Sequence, residues 1–187
     1  MPHWKSDLVT THRQVALLRG INVGTAKRIA MADLRALFTG LGYTAVRTHL
    51  QSGNVVFDAP TVVDAAAVAL LESEILQRTS VQSRILVIPS DRFRKIADNN
   101  PLADSPDPSR MVVTFMNESP AKLDIPQPND DELAPERLVI GADAIYQWCP
   151  DGILKSKLPA TFFSKLGTLT TSRNLRTVTK LVQMLEE

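Results

Sequence analysis

The sequence predicts an α+β fold of two tandem ferredoxin-like units, each with the element order βαββαβ and the second degenerate. Two observations predict it. Strand-like and helix-like segments follow one another as β-α-β-β-α-β over the first 89 residues, and an incomplete copy of that order, β-α-β-β-α, begins after residue 109. We therefore expect a first unit over residues 1–98, including a short connecting helix, and a second unit over residues 99–187.

The elements of the first unit follow from its apolar spacing. Short apolar runs bounded by glycine, proline or serine indicate strands, and apolar residues three and four positions apart indicate helices. Gly42 can end a helix in the left-handed conformation, and Thr61 can cap the start of another. We expect strands at 14–21, 44–51, 55–57 and 82–89, and helices at 31–41, 62–78 and 90–98.

The second unit is predicted with less regular elements. A loop with three prolines, residues 99–109, separates it from the first unit. Residues 141–143 (GAD) are typical of a hairpin turn. We expect strands at 110–117, 136–140 and 144–149, a helical turn at 120–124, and a final helix from about Arg173 to Glu187.

The composition is that of a globular protein. Of 187 residues, 44% are apolar and 22% are charged, which excludes disordered, collagen-like and coiled-coil chains. No run of about 18 apolar residues is present, so no membrane span is expected. Residues 1–14 lack the apolar core of a secretory signal, and Cys149 is the only cysteine. A cytoplasmic protein is the simplest expectation.

The net charge of +1 conceals a division along the chain. Residues 1–57 carry a net charge of +5, residues 58–149 a net charge of −7, and residues 150–187 a net charge of +3. If the two ends meet in the folded protein, they form a basic surface that favours anionic ligands. A random distribution of solvated charges explains the same numbers.

Several chemical motifs are absent. Residues 20–27 (GINVGTAK) match neither the phosphate loop nor the dinucleotide-binding glycine pattern. The three histidines and one cysteine have no metal-ligand spacing, so neither a metal nor a cofactor is expected. Ser52 lacks the glycines of a nucleophile elbow, and Cys149 beside Trp148 fits a packed apolar position. No catalytic residue can be named.

A basic stripe marks the predicted final helix. Arg173, Arg176, Thr177 and Lys180 share one face of a helix that begins near Arg173. The start of a helix exposes N–H groups that bind anions, and guanidinium groups beside it suit phosphate. A solvated face behind an N-cap at Thr171 or Ser172 is the alternative, although cations at that end oppose the helix dipole.

Two polar segments and one strand arginine complete the candidate site. Residues 51–54 (QSGN) form a turn between strands, and residues 155–157 (KSK) follow a glycine; both also fit ordinary loops. Arg19 ends an apolar strand, where a charge needs a partner or a ligand. We expect the N-terminal motifs and the final helix to face each other across a basic cleft. The candidate ligand-binding residues are Arg19, Asn22, Lys27, Arg47, Ser52, Asn54, Lys155, Ser156, Lys157, Arg173, Asn174, Arg176 and Lys180.

The same segments resemble one family closely. Residues 17–24 (LLRGINVG), 31–34 (MADL), 48–57 (THLQSGNVVF), 156–158 (SKL) and 171–181 (TSRNLRTVTKL) are similar to motifs of the uncharacterised bacterial family named domain of unknown function 1697. The resemblance spans about residues 14–185. It implies two tandem ferredoxin-like α+β units. It implies no catalytic residue, because no activity is established for the family.

Three classes of function are compatible with these patterns. The first is a non-catalytic binder of a phosphate-bearing ligand, either a nucleotide or a nucleic acid, whose binding weakens with salt. The second is an enzyme that acts on a phosphorylated or carboxylated small molecule, although no general base is evident. The third is a structural or regulatory module that binds a partner, with a homodimer formed through strand edges as one form. The first is our preferred hypothesis.

Overall fold

Two four-stranded antiparallel sheets form the framework of the protein. The computed structural model describes residues 10–23, 28–159 and 161–187. The strands are β1 (His12–Arg19), β2 (Thr44–His49), β3 (Asn54–Ala59), β4 (Arg84–Pro89), β5 (Met111–Met116), β6 (Arg137–Ile140), β7 (Ala144–Trp148) and β8 (Thr170–Asn174). The α-helices are α1 (Met31–Gly40), α2 (Ala65–Thr79), α3 (Ser90–Asp98), α4 (Asp130–Leu133) and α5 (Leu175–Glu186). The fold class is therefore α+β, as predicted.

The two sheets have the same strand order. The first sheet is ordered β2-β3-β1-β4, and the second is ordered β6-β7-β5-β8. Successive side chains of a strand point to opposite faces, so each sheet contributes to two layers of apolar side chains. In β1, Val15 and Leu17 pack into one hydrophobic cluster, while Ala16 and Leu18 pack into another.

The inner faces of both sheets share one core. Helices α3 and α5 follow the last strand of each sheet and pack against each other and against both sheets. Phe93 of α3 stacks on Phe115 of β5, with ring centroids 5.0 Å apart and an interplanar angle of 9°. The Tyr146 hydroxyl donates a hydrogen bond to the Ile96 carbonyl at 2.8 Å. We call this shared layer the central core.

The outer faces of the two sheets are covered differently. Two regular helices, α1 and α2, pack on the outer face of the first sheet. The outer face of the second sheet is covered by α4 and by the irregular segment that carries Leu158, Phe162 and Leu166. That segment includes short 3₁₀ turns at Ile153–Lys155 and Phe163–Leu166.

The structure corrects two predicted helix starts. Residues 170–174 form the edge strand β8, so the final helix begins at Leu175 and not near Arg173. Its N-cap is Asn174, whose Oδ1 accepts a hydrogen bond from the Thr177 amide at 2.9 Å. Helix α2 begins at Ala65 and is capped by Asp64 instead of Thr61. In both cases the helix begins later than apolar spacing alone indicates.

The helices are of moderate length. The longest that the structure describes, α2, has 15 residues. Across residues 10–23, 28–159 and 161–187, no helix is both long enough and apolar enough to cross a membrane.

Candidate functional site

Three of the sequence motifs, in residues 17–24, 48–57 and 171–181, meet at the C-terminal end of β1. The Leu18 amide donates to the Gly53 carbonyl at 2.8 Å, which joins β1 to the turn between β2 and β3. Gly53 has a φ of +77°, and a Cβ at this position would lie 2.7 Å from the Leu18 Cβ. Glycine is required here for both reasons. The β8–α5 junction lies beside this turn, because Arg173 reaches across to it.

Arg173 is the residue that connects the three motifs. A guanidinium carries five N–H donors, and five oxygens of the described chain accept them. The acceptors are Oδ1 of Asn54, Oγ1 of Thr171 (3.0 Å) and the carbonyls of Ser172 (2.8 Å), Leu18 (2.7 Å) and Ser52 (3.2 Å). Arg173 therefore has no donor left for a ligand in this arrangement.

The charge of Arg173 remains although its donors are used. Burial lowers the pKa of its guanidinium to about 10, so the group is still protonated at neutral pH. Among the described residues, no carboxylate forms an ion pair with it. Arg173 thus contributes a positive field at the end of β1 while its hydrogen bonds hold the two sheets together.

Asn22 and Asn54, both candidate ligand-binding residues, use their side chains for hydrogen bonds within the protein. Asn54 is completely buried, and its Nδ2 donates to the His49 carbonyl (2.8 Å) and to Ser52 Oγ (3.0 Å). Asn22 has a φ of +53° and bridges two loops. Its Nδ2 donates to the carbonyls of Ile29 (3.1 Å) and Gln51 (2.6 Å), and its Oδ1 accepts from the Ile29 amide. Neither side-chain amide has an unused N–H group.

Arg19, unlike Arg173, has N–H donors that no described residue accepts. Its side chain is exposed, and its one hydrogen bond within the described chain runs from Nη1 to the Thr170 carbonyl at 3.3 Å. Four of its five N–H donors are not used by described residues. Gln51 and Ser52 are exposed as well. Ser52 precedes Gly53, whose carbonyl accepts a hydrogen bond from the amide of Leu18, the residue before Arg19. We call Arg19, Gln51 and Ser52 the Arg19 surface.

Two further arginines, absent from the predicted site, lie at the same end of the first sheet. Arg28 is exposed and precedes Ile29, which is bonded to Asn22. Arg35 of α1 donates to Thr48 Oγ1 at 2.7 Å. Neither arginine forms an ion pair with a carboxylate in the part of the chain that the structure describes. No sequence motif singled them out; only the fold brings them to this end.

Lys155, Ser156 and Lys157 lie elsewhere. The Ser156 hydroxyl donates to Glu136 Oε2 at 2.7 Å, and the Lys157 amide donates to Glu136 Oε1 at 2.6 Å. Glu136 directly precedes β6, and β6 and β8 are the opposite edges of the second sheet. The predicted meeting of these residues with Arg173 is therefore wrong, because three strand spacings separate the two edges.

The remaining candidate residues have partners of their own. Arg47 bonds to Glu187 and to the Met184 carbonyl at the end of α5. Lys180 Nζ lies 3.9 Å from Glu187 Oε1, and Arg176 Nη2 lies 3.8 Å from Asp107 Oδ1. Asn174 caps α5. Lys27 lies outside the described residues.

Among the residues that the structure describes, the predicted basic cleft between the N-terminal motifs and the final helix is not formed. Arg173 bonds directly to the 51–54 turn and to β1, so these segments touch and leave no gap for a ligand between them. On the solvent side of this junction, Arg19 is exposed.

Two other titratable groups, His49 in the 48–57 motif and Cys149 after β7, have shifted pKa values. Partial burial, reinforced by the nearby Lys180 charge, lowers the pKa of His49. Burial raises the pKa of the Cys149 thiol to about 12, so it stays protonated and packs as an apolar group. Within residues 10–23, 28–159 and 161–187, no three metal-binding side chains come close enough to hold an ion.

The fold and this junction define an α+β protein in which two antiparallel sheets are joined through a partly buried arginine. The chain belongs to the family described as protein of unknown function (DUF1697), whose sequence model matches residues 11–146. The structure is similar to that of the conserved bacterial protein SP0830 from Streptococcus pneumoniae, with a TM-score of 0.66 and 27% identity over 94% of this chain and 99% of that one. No curated protein matches the sequence.

Proposed function

We propose that this protein binds a phosphate-bearing ligand, a nucleotide or a nucleic acid, at the Arg19 surface. The observation that carries the proposal is the pair of guanidinium groups at the end of β1. Arg19 bonds to the Thr170 carbonyl and Arg173 to the hydroxyl of the next residue, Thr171. Neither guanidinium forms an ion pair with a described carboxylate, and two neighbouring positive charges without such a partner attract an anion.

The different hydrogen bonding of the two arginines supports the proposal that an anion binds here. Arg173 contributes charge without free donors, whereas Arg19 offers both charge and unused N–H groups. Charge-assisted hydrogen bonds from a guanidinium to phosphate are roughly twice as strong as neutral ones. The exposed Ser52 hydroxyl adds a donor beside Arg19.

The proposal is tested by titrating the protein with ATP and with a fluorescent single strand of about 12 nucleotides, at about 50 mM and about 300 mM salt. We expect at least one of the two to bind and the affinity to fall with salt. Arg19→Ala should weaken binding roughly tenfold, the value of one charge-assisted contact.

Arg137→Ala is the matched control. Arg137 is an exposed arginine at the start of β6, the far edge of the second sheet, and forms no ion pair within the described chain. Its removal lowers the net charge equally and should leave affinity within about twofold. Absence of binding at low salt, or equal losses in the two variants, would refute the proposal.

We also propose that the two sheets represent two tandem ferredoxin-like units, residues 1–98 and 99–187, with the second degenerate. The identical strand order supports this proposal. So do the matching positions of α3 after β4 and of α5 after β8. Where a regular crossover helix would lie in the second unit, the chain has the four-residue α4 and short 3₁₀ turns instead.

A cytoplasmic location is our proposal for the compartment. The chain has one cysteine, and that cysteine is buried. Stabilisation by disulfides within the chain is therefore not part of the fold, which suits a reducing environment.

A further inference from the structure

Leu50 combines two unfavourable properties. Its φ of +57° lies in the left-handed region, which glycine and asparagine adopt far more readily than leucine. Its side chain is 56% exposed, so the apolar surface gains little from packing. Residues that break local rules in this way are concentrated at functional sites. Leu50 therefore has no evident role in stabilising the fold.

A second exposed aliphatic residue lies at the same place. Val23 is 68% exposed. The hydrogen bond from Asn22 Nδ2 to the Gln51 carbonyl, 2.6 Å long, ties the two loops together. Val23 follows the donor residue and Leu50 precedes the acceptor residue. Both apolar side chains thus belong to the loops that carry the Arg19 surface.

We infer that the ligand of the Arg19 surface is a mononucleotide. This inference rests on the proposed function. Arg19 contacts the phosphate, while Leu50 and Val23 provide apolar contact for the flat face of the base. Bases stack on apolar as well as aromatic side chains in protein sites. A ligand site commonly combines such apolar contacts with a few placed polar groups.

The charges around the site favour a single nucleotide over a long strand. A nucleic-acid groove needs a row of cations that follows successive phosphates. Two basic residues further from this end are already paired: Arg47 with Glu187, and Arg176 with Asp107. Three arginines without an ion pair among the described residues, Arg19, Arg28 and Arg35, are grouped at one end of the first sheet and do not continue along β8 and α5.

Calorimetric titration of the whole protein with AMP and with ribose 5-phosphate separates the base from the phosphate. We expect the wild type to bind AMP about tenfold more tightly, the value of burying part of one leucine side chain. Leu50→Gly should abolish this preference and leave ribose 5-phosphate binding unchanged. Its melting temperature should not fall, because glycine adopts the left-handed conformation without strain.

Leu154→Ala is the control, since Leu154 is 99% exposed in the 3₁₀ turn that precedes Ser156. It should retain the preference for AMP. Equal affinity of the wild type for both ligands would overturn the inference but leave the proposed anion site intact. Failure of both ligands to bind would overturn the inference and count against the proposed site as well. A single strand that binds more tightly than AMP, or a Leu50→Gly variant that loses both ligands and melts at a lower temperature, would also overturn it.

Discussion

The two sheets share a strand order but are stabilised in different ways. Helices α1 and α2 cover the outer face of the first sheet, whereas the second sheet has only α4 and irregular turns on that side. The second sheet therefore depends more heavily on the central core, where α3 and α5 pack against both sheets. Equal strand order thus does not imply equal stability, and we expect the second half to depend on its packing against the first.

The largest expected effect comes from breaking the central core. Phe93 is completely buried and stacks on Phe115 across the boundary between the two halves. Phe93→Ala should lower the free energy of unfolding by about 3–5 kcal/mol, the range for deleting a buried aromatic ring. Denaturant unfolding, followed by circular dichroism, should show one transition shifted as a whole.

Phe162→Ala tests the same difference between the two sheets, by comparing its loss of unfolding free energy with that of Phe93→Ala. Phe162 lies in the small cluster on the outer face of the second sheet. Its removal should cost less than that of Phe93, because the irregular segment around it can adjust. Two separate transitions in either variant, or a greater loss from Phe162→Ala, would mean that the halves unfold independently.

The next largest effect concerns the arginine that joins the sheets. Arg173→Ala leaves five oxygens of three segments without their donor, among them the Leu18 and Ser52 carbonyls. We expect a loss of about 2–4 kcal/mol in the free energy of unfolding. Arg173→Lys should restore little of it, since an ammonium group has three donors and cannot match the planar fork.

Arg176→Ala provides the comparison for Arg173. Arg176 is three residues further along, exposed, and 3.8 Å from Asp107. Its loss should change the free energy of unfolding by less than about 0.5 kcal/mol. If Arg173→Ala were as stable as Arg176→Ala in denaturant titrations, the structural role assigned to Arg173 would be wrong.

A smaller effect is expected at the far edge of the second sheet. The Ser156 hydroxyl accepts from Gln147 Nε2 and donates to Glu136. Ser156→Ala should cost about 1–2 kcal/mol in the free energy of unfolding. Nucleotide affinity should not change, because this cluster is separate from the Arg19 surface. Reduced affinity at unchanged stability would instead place Ser156 in the ligand site.

The smallest effect is a pH dependence at His49. Partial burial lowers the pKa of His49 in the folded protein, so the unfolded chain binds the proton more readily. By linkage, this histidine destabilises the fold as the pH falls below its unfolded value of about 6.5. His49→Gln should flatten the stability curve between about pH 7 and 5 in thermal melts. An unchanged slope would show that other groups control this range.

Apolar spacing predicted most of the fold because most elements bury an apolar stripe. The final helix is an example: Val178, Leu181 and Leu185 are three and four positions apart, as on one helix face, and all three are buried. Strand β8 was missed, because residues 170–174 (TTSRN) contain no apolar side chain. The strand exists because its backbone pairs with β5 and its two threonines are buried. Such a tertiary contribution leaves no periodic signal in the sequence.

The candidate site could be predicted only in outline. The resemblance of separate motifs indicated that the 51–54 turn and the segment around Arg173 belong together, and the structure places them in contact. Which donors are already used depends on exact atomic positions, so Arg173 and Arg19 could not be distinguished beforehand. The 155–157 segment was grouped with them on its charge and on its resemblance to a family motif, and the order of the strands separates it.

Nitrogen-15 NMR of the arginine side chains tests the distinction between these two arginines most directly. We expect the guanidinium N–H protons of Arg173 to exchange slowly with water and to keep their chemical shifts when AMP is added. The Nε–H signal of Arg19 should exchange rapidly without ligand and shift with AMP. Rapid exchange at Arg173, together with a shift there and none at Arg19, would contradict the account.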